Sequence, residues 1–398
     1  MHKTCIILYM YKFLPYMTND GSVGLFDEGV NDIYHSAFGA LTEAFEKFIN
    51  PADILLSKLN ENSELNVLDI CYGIGYNTKA LLQKILDAKI CFNKINIDCV
   101  DMNKDLICLS PFIKLKISAT EKFLFKNKLY KNILGYDETK NILLNYKKNK
   151  TSYKISKNVN LFILKNLIEN FGYEFLDDSQ KNILAKSENF VFFDKALIKY
   201  SEFLVKNGVE LYQKKNKLAF VHNIYYKYIT KRYNIGPYNN ISIAFYPQDI
   251  RKYLNLSSDK QYDLILLDGF TPSKCPCIWT QDIFEYLYKL TKDNGLIVTY
   301  NKSAPVKNAM LLAGYYIGNT IDDTGKAIGT VASKNKYNII NKLTDKDFGL
   351  LNTKAGIPYR DYDLSLDNDT IINNRKHEIE TSDKMSSSKY LKEFANEI

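Results

Sequence analysis

Asp268 ends an apolar run, Tyr262 to Leu267, and is followed by Gly269, Phe270 and a proline-containing turn that reaches the only tryptophan, Trp279. In an open α/β sheet, a carboxylate at the carboxyl end of a strand stands where ligands bind. Such a group can hold a neutral amine and accept its proton. Three more acids occupy comparable places. Asp69 lies at the end of the run Asn66 to Ile70, Asp101 follows Ile95 to Val100, and Asp249 comes just after Ile241 to Phe245. For each acid alone, a strand end or a helix N-cap is a sufficient explanation. Four on one sheet edge, in this order, are hard to explain as caps.

The turn after the first of these strands reads Asp69-x-Cys71-x-Gly73-x-Gly75-x-Asn77. Two glycines let a ligand approach the backbone closely, and the helix that follows begins with free N–H groups. A dinucleotide site would show G-x-G-x-x-G around a pyrophosphate. Here the third glycine position is Thr78, and Asp69 disfavours an anion. The pattern suits a cationic, phosphate-free ligand such as S-adenosylmethionine, whose amine and sulfonium favour a nearby carboxylate. Asp101 is then placed to accept both ribose hydroxyls, and Asp249 to accept from an adenine amino group. Displacement of a sulfonium methyl by an amine chiefly requires an aligned nucleophile, which gives Asp268 a catalytic role. Phe270 and Trp279 offer faces for stacking on a base, with core packing as the alternative.

The elements that must position these residues follow from hydrophobic periodicity. Residues 1–35 predict a β-hairpin turning at Asp20-Gly21. A helix with Leu41, Phe45, Phe48 and Ile49 on one face comes next. Strands over Asn66 to Ile70 and Ile95 to Val100, with a helix over Thr78 to Leu86, form a βαβ unit with a right-handed crossover. That rhythm stops over 111–235, which reads as a mainly helical insertion. It returns with the strand Ile241 to Phe245, a helix through Leu254, and the strand Tyr262 to Leu267. A helix over Gln281 to Leu290, the strand Leu296 to Tyr300, a helix over Val306 to Ala313 and a terminal strand pair complete it. The expected fold is α/β and Rossmann-like. Residues 1–110 and 236–335 supply its two halves, and 336–398 form a polar tail, disordered over 361–398.

The chain has 398 residues, 46% of them hydrophobic and 25% charged, which are ordinary globular values. Its net charge is +8, yet residues 111–240 alone hold 24 Lys and Arg against 11 Asp and Glu. A basic region of that size suits a polyanion; a solvated lysine-rich surface is the alternative. Within it, His222 to Tyr228 interleaves aromatics and bases, as does an amphipathic helix with a buried tyrosine face. Seven irregularly spaced cysteines without a CxxC pair, and only four histidines, disfavour a zinc site. Cys275-Pro276-Cys277 supplies two soft ligands, short of a site. Reduced thiols and the lack of a long apolar span lead us to expect a cytoplasmic protein with no membrane segment.

The motifs resemble the methyltransferase domain of the bacterial tRNA 5-methylaminomethyl-2-thiouridine biosynthesis (MnmC) family. That family shows E/D-x-G-F-G-T-G-x-N, beside Asp69-Ile70-Cys71-Tyr72-Gly73-Ile74-Gly75-Tyr76-Asn77 here. It also shows D-G-F-[AS]-P-x-x-N-P-x-[ML]-W, beside Asp268-Gly269-Phe270-Thr271-Pro272, then Pro276 and Trp279. Tyr34-His35-Ser36 with Gly39-Ala40 and Glu43 is similar to its N-terminal signature, and Gly329 to Ser333 to its closing strand. The resemblance covers 1–110 and 236–335. It implies methyl transfer from S-adenosylmethionine to the aminomethyl nitrogen of a wobble uridine in tRNA, with Asp268 as the catalytic residue. Cofactor contacts fall to Asp69, Gly73, Gly75, Asn77, Asp101 and Asp249, and substrate contacts to Phe270, Trp279, Tyr34 and Ser36. Cys71 and Cys275 depart from the family's Gly and Asn. No G-x-G-x-x-G flavin turn is present, so only the methyltransferase step is implied, without an FAD domain, and a separate enzyme would supply the primary amine. Two other readings remain open: methyl or aminopropyl transfer to a small amine, and a non-catalytic RNA-binding protein on a degenerate fold.

Overall fold

The computed structural model describes residues 13–18, 20, 22–27, 32–35, 39–110, 153–156, 158–160, 162–163, 166–167, 239–257 and 259–396. The expectation for the 111–235 insertion therefore falls almost wholly outside the described residues, as do Ser36 and the His222 to Tyr228 segment. The few described residues at 158–160, 162–163 and 166–167 are helical. The chain divides into two compact units. One comprises Met1–Phe45, Gly73–Ala88 and Lys104–Phe245, the other Glu46–Tyr72, Lys89–Asn103 and Tyr246–Ile398.

In the first unit, β1 (Phe13–Met17) and β2 (Val23–Asp27) form the expected hairpin, and β3 (Asp32–Ile33), which periodicity did not reveal, adds a short third strand. The turn is organised by a buried carboxylate. Asp20 accepts from Thr18 Oγ1 at 2.7 Å, from Ser22 N at 2.8 Å and from Thr42 N at 2.7 Å. The last bond ties the hairpin to α1 (Ala40–Glu43). Gly39 sits against that carboxylate at φ 150°, and a Cβ there would lie 2.2 Å from Asp20 Oδ2. α3 (Tyr76–Asp87), starting two residues earlier than periodicity suggests, begins directly after Gly75. Lys79 is fully buried in it and donates to Ser110 O at 2.6 Å.

In the second unit, α2 (Asp53–Leu56) precedes β4 (Glu64–Ile70) and β5 (Lys94–Asp101). Beyond α4 (Lys104–Leu109) and the insertion come β6 (Ile241–Pro247), α5 (Ile250–Leu256), β7 (Tyr262–Leu267), α6 (Gln281–Leu290) and β8 (Thr291–Thr299). α7 (Ala304–Leu312), β9 (Tyr316–Ile321) and β10 (Ala327–Ser333) follow. The sheet has seven strands in the order β6-β5-β4-β7-β8-β10-β9, with β6 crossing the boundary between the units. β4 pairs in parallel with β5 and β7, and β7 with β8, while β10 is antiparallel to both β8 and β9. This is the expected Rossmann-like α/β fold. The core strands are apolar on both faces, as parallel strands covered on both sides must be.

The expectation of a disordered tail over 361–398 is corrected. The segment after residue 335 forms α8 (Asp345–Leu351), α9 (Asn368–Thr381) and α10 (Ser387–Asn396). Leu343, Leu351, Tyr359, Leu364 and Ile371 join the main core cluster around Trp279 and Phe284. Composition hid this because the apolar anchors are sparse and irregularly spaced, while polar side chains make the docking. Asp361, fully buried, accepts from Arg251 at 3.1 Å and from the backbone of Ser365 and Leu366 at 2.9 and 3.0 Å. Asp282 accepts from Arg360 at 2.8 Å and from Asp361 N at 2.7 Å.

Two measurements test these packings. Removing one partner of a buried ion pair strands the other, so Asp361→Ala should lower the unfolding free energy by about 3 kcal/mol in urea titration; an unchanged midpoint would contradict the docking role. Burial drops the Lys79 pKa from 10.5 to about 7. The unfolded chain then holds a proton that the folded chain has released, so stability climbs as pH rises from 7 to 10.5. Lys79→Met should flatten that climb, and an identical pH profile for both proteins would refute it.

Candidate active site

The carboxyl edge of the second unit's sheet brings three of the four acids together. β4 is the strand from which the order reverses: β5 and β6 lie on one side and β7 and β8 on the other. Ligands bind at such switch points, beyond the carboxyl ends of the strands. Ile70 pairs with Val100 on β5 and with Leu267 on β7. The next residue on each strand is Asp101, Cys71 and Asp268, so these three stand abreast. Strands lie roughly 4.8 Å apart, so the backbones of Asp101 and Asp268 flank Cys71 at about 10 Å from one another. Backbone bonds continue the register past the sheet: Cys71 N and Tyr72 N donate to Val100 O at 2.9 and 3.1 Å, and Asp268 N donates to Ile70 O at 3.2 Å. Asp69 is buried one step back on β4, while Asp101 and Asp268 are half-buried.

The thiol of Cys71 reports how close these charges are. Burial first, then the charges of Asp101, Asp268, Cys277 and Asp69, push it well above the usual range for a thiol. The edge is thus acidic and receptive to a cation. Cys71 itself sits at φ 62°, the left-handed region that normally selects glycine. It therefore takes the backbone shape of the glycine it stands for in the resemblance, and its side chain packs towards Gly269 instead. A Cβ on Gly269 would lie 3.2 Å from Cys71 Sγ and 1.8 Å from Ile278 Cδ1, so only glycine fits after Asp268. Gly73 and Gly75, in the first unit, have φ values of 56° and 78°, as a turn open to a backbone-contacting ligand requires. Asn77 is buried at the start of α3. Tyr34, also in the first unit, is half-buried beside β3, its N–H bonded to Leu25 O at 2.8 Å.

Two expectations change. Trp279 is fully buried and is not a wall for substrate. Its indole N–H donates to Phe270 O at 2.7 Å, so it clamps the loop that carries Asp268. Phe270 is half-buried and stays a candidate surface. Asp249 is the N-cap of α5, accepting from Arg251 N at 2.8 Å, and both its oxygens also accept from the Arg251 guanidinium. Burial pushes this carboxyl up, but the Arg251 bonds and charge outweigh it and hold it below the usual range. Here the cap explanation describes the residue, and its carboxylate is turned to Arg251.

Sequence reasoning missed Tyr300. Its hydroxyl donates to Gly269 O at 2.7 Å and its ring meets Trp279 edge-on at 6.1 Å. Its place at the end of β8, level with the loop after β7, was the available signal. The cluster of Asp98 with Tyr253, Tyr262 and Lys260 was also unread; Asp98 accepts from them at 2.9, 2.6 and 2.7 Å. Burial, chiefly, raises the Tyr253 hydroxyl to about 12. This network braces β5 against β7 from the opposite end. Among the described residues, no group of three His, Cys, Asp or Glu is placed to hold a metal, and no helix is long and apolar enough to cross a membrane.

Comparison with known proteins agrees with this geometry. Residues 212–335 match a family described as S-adenosyl-L-methionine-dependent methyltransferase. An uncharacterized protein of Methanocaldococcus jannaschii is 26% identical over 363 residues, covering 90% of this chain and 70% of that protein. The crystal structure of MNMC2 from Aquifex aeolicus superposes with a TM-score of 0.55 at 16% identity, covering 95% of this chain and 92% of that one. At that identity the likeness speaks for the fold alone.

The acid row around Cys71 makes a prediction of its own. Thiolate is the reactive form, and the surrounding carboxylates suppress it. Under iodoacetamide at pH 8, exposed Cys91 should alkylate well before half-buried Cys71, as followed by peptide mass spectrometry. Equal rates at the two thiols would mean that the acids do not converge on Cys71.

Proposed function

We propose that this chain, whose residues 212–335 match an S-adenosyl-L-methionine-dependent methyltransferase family, methylates the aminomethyl nitrogen of a modified wobble uridine in tRNA. The product would be 5-methylaminomethyl-2-thiouridine, made from 5-aminomethyl-2-thiouridine. The observation that carries the reading is the acid row at the switch point: Asp69, Asp101 and Asp268 gathered around Cys71 at the carboxyl edge of the sheet. The Asp268-Gly269-Phe270 motif with Pro276 and Trp279 points to the amine. The basic composition of 111–240 supports a polyanionic substrate.

S-adenosylmethionine, when bound, supplies a methyl group made electrophilic by its sulfonium. Asp69 would face the cofactor's charged end and Asp101 its ribose hydroxyls, and the family resemblance assigns further cofactor contacts to Gly73, Gly75 and Asn77. Asp268 would accept a hydrogen bond from the substrate amine, aim its lone pair and take up the proton it sheds. Phe270 would contact the base, and the family resemblance assigns further substrate contacts to Tyr34 and Ser36. The primary amine would come from a separate tRNA-modifying enzyme or oxidoreductase.

The test is methyl transfer by the purified protein to tRNA carrying the primary amine. Asp268→Ala should keep S-adenosylmethionine binding in calorimetry and lose at least 100-fold in turnover, within the range of a lost general base. Wild-type turnover in this variant would remove Asp268 from the chemistry.

A further inference from the structure

The loop behind Asp268 holds a feature the proposed reaction does not use. Cys275 and Cys277 flank Pro276, and their sulfurs are 3.6 Å apart in a thiol hydrogen bond. Cys275 is half-buried and reaches solvent, whereas Cys277 is buried beneath it. Neither belongs to a metal cluster among the described residues. Pro276 starts a short 3-10 turn, Pro276–Ile278, which fixes the two side chains on the same side of the loop.

We infer that Cys275 and Cys277 form a redox-active dithiol, a modification site that exchanges with low-molecular-weight disulfides to close an intramolecular disulfide. The proton shared between the two sulfurs can leave either one. With it on Cys277, the Cys275 thiolate attacks one sulfur of the external disulfide and expels one thiolate. Cys277 then loses its proton, attacks the Cys275 sulfur of the mixed disulfide and expels the second. The two cysteines are oxidised by two electrons and the reagent is reduced to two thiols. In the mixed disulfide Cys275 has no proton left to donate, and the charge of Arg251 is what favours a thiolate at Cys277 for the resolving step.

Closure must shorten the sulfur separation from 3.6 Å to about 2.05 Å. The strain falls on the 3-10 turn, and Ile278 in that turn already fills the space over Gly269. Trp279, next along, holds Phe270 O. Oxidation therefore reaches the backbone on both sides of Gly269, the residue after Asp268. This consequence for catalysis rests on the methyltransferase reading, whereas the dithiol chemistry does not.

The experiment equilibrates the full chain with oxidised and reduced glutathione, quenches with acid, alkylates free thiols and digests with trypsin. Cleavage after Lys274 and Lys289 places both cysteines in one peptide, 275–289. The expected result is that this peptide loses two hydrogens and both alkylatable thiols as the buffer becomes oxidising, and recovers both on reduction. Cys277→Ser should trap a glutathione adduct on Cys275 instead, and Cys275→Ser should leave buried Cys277 unmodified. The inference is overturned if the wild-type peptide keeps two alkylatable thiols, stops at the glutathione adduct, or pairs with Cys71. In a parallel assay, wild type should lose methyl transfer on oxidation and regain it on reduction. Closure by mass with unchanged turnover would discard the link to Asp268 and retain the dithiol, and closure in a protein inactive in both states would fault the proposed reaction alone.

Discussion

The parallel register of β5, β4 and β7 is the constraint on which the site depends. Ile70 sits between Val100 and Leu267, and the carbonyls of Val100 and Ile70 accept the first amides beyond the sheet. Those bonds bring Asp101, Cys71 and Asp268 out at one level. A slip of one residue on any strand would turn a carboxylate to the other face. The apolar surroundings of Leu68, Ile70, Ile265 and Leu267 make such a slip costly, since each would have to leave the core. The chemistry of the edge is therefore set by packing well behind it.

Beyond the strand ends, aim is a matter of carbonyls. Trp279 and Tyr300 each donate to the loop after β7, to Phe270 O and Gly269 O. Gly269 lets that loop lie against Ile278 and Cys71 with no space left over. The next layer is ionic. Arg251 joins Asp249 at the start of α5 to Asp361 in the C-terminal segment, and Asp282 joins the same segment to α6. The C-terminal helices are thus part of the frame that carries the loop, and the tryptophan expected to meet substrate instead holds the loop in place.

The strands were legible because buried parallel strands read as continuous apolar runs. The bounds of β7 and α6 follow directly from the sequence, and those of β4, β5 and α7 differ by a residue or two. The acids at the strand ends were legible from spacing alone. Whether each faced outward was not, since Asp249 as an N-cap and Asp249 as a ligand contact have the same sequence pattern. Arg251, two residues on, decided it through a side-chain bond that no periodicity encodes. Asp20, Asp98 and Asp361 escaped for the same reason: each is a buried or half-buried acid whose partners lie far apart or in turns. The segment after residue 335 failed differently, its few core contacts being diluted in polar sequence below what composition can register.

The central claim is that the acid row serves methyl transfer to an amine on the wobble base. Mass spectrometry of wobble nucleosides, in tRNA from cells with and without this protein, tests it most directly. The account predicts that 5-aminomethyl-2-thiouridine accumulates in its absence and that the methylated nucleoside returns when the gene is restored. An unchanged nucleoside profile would contradict it.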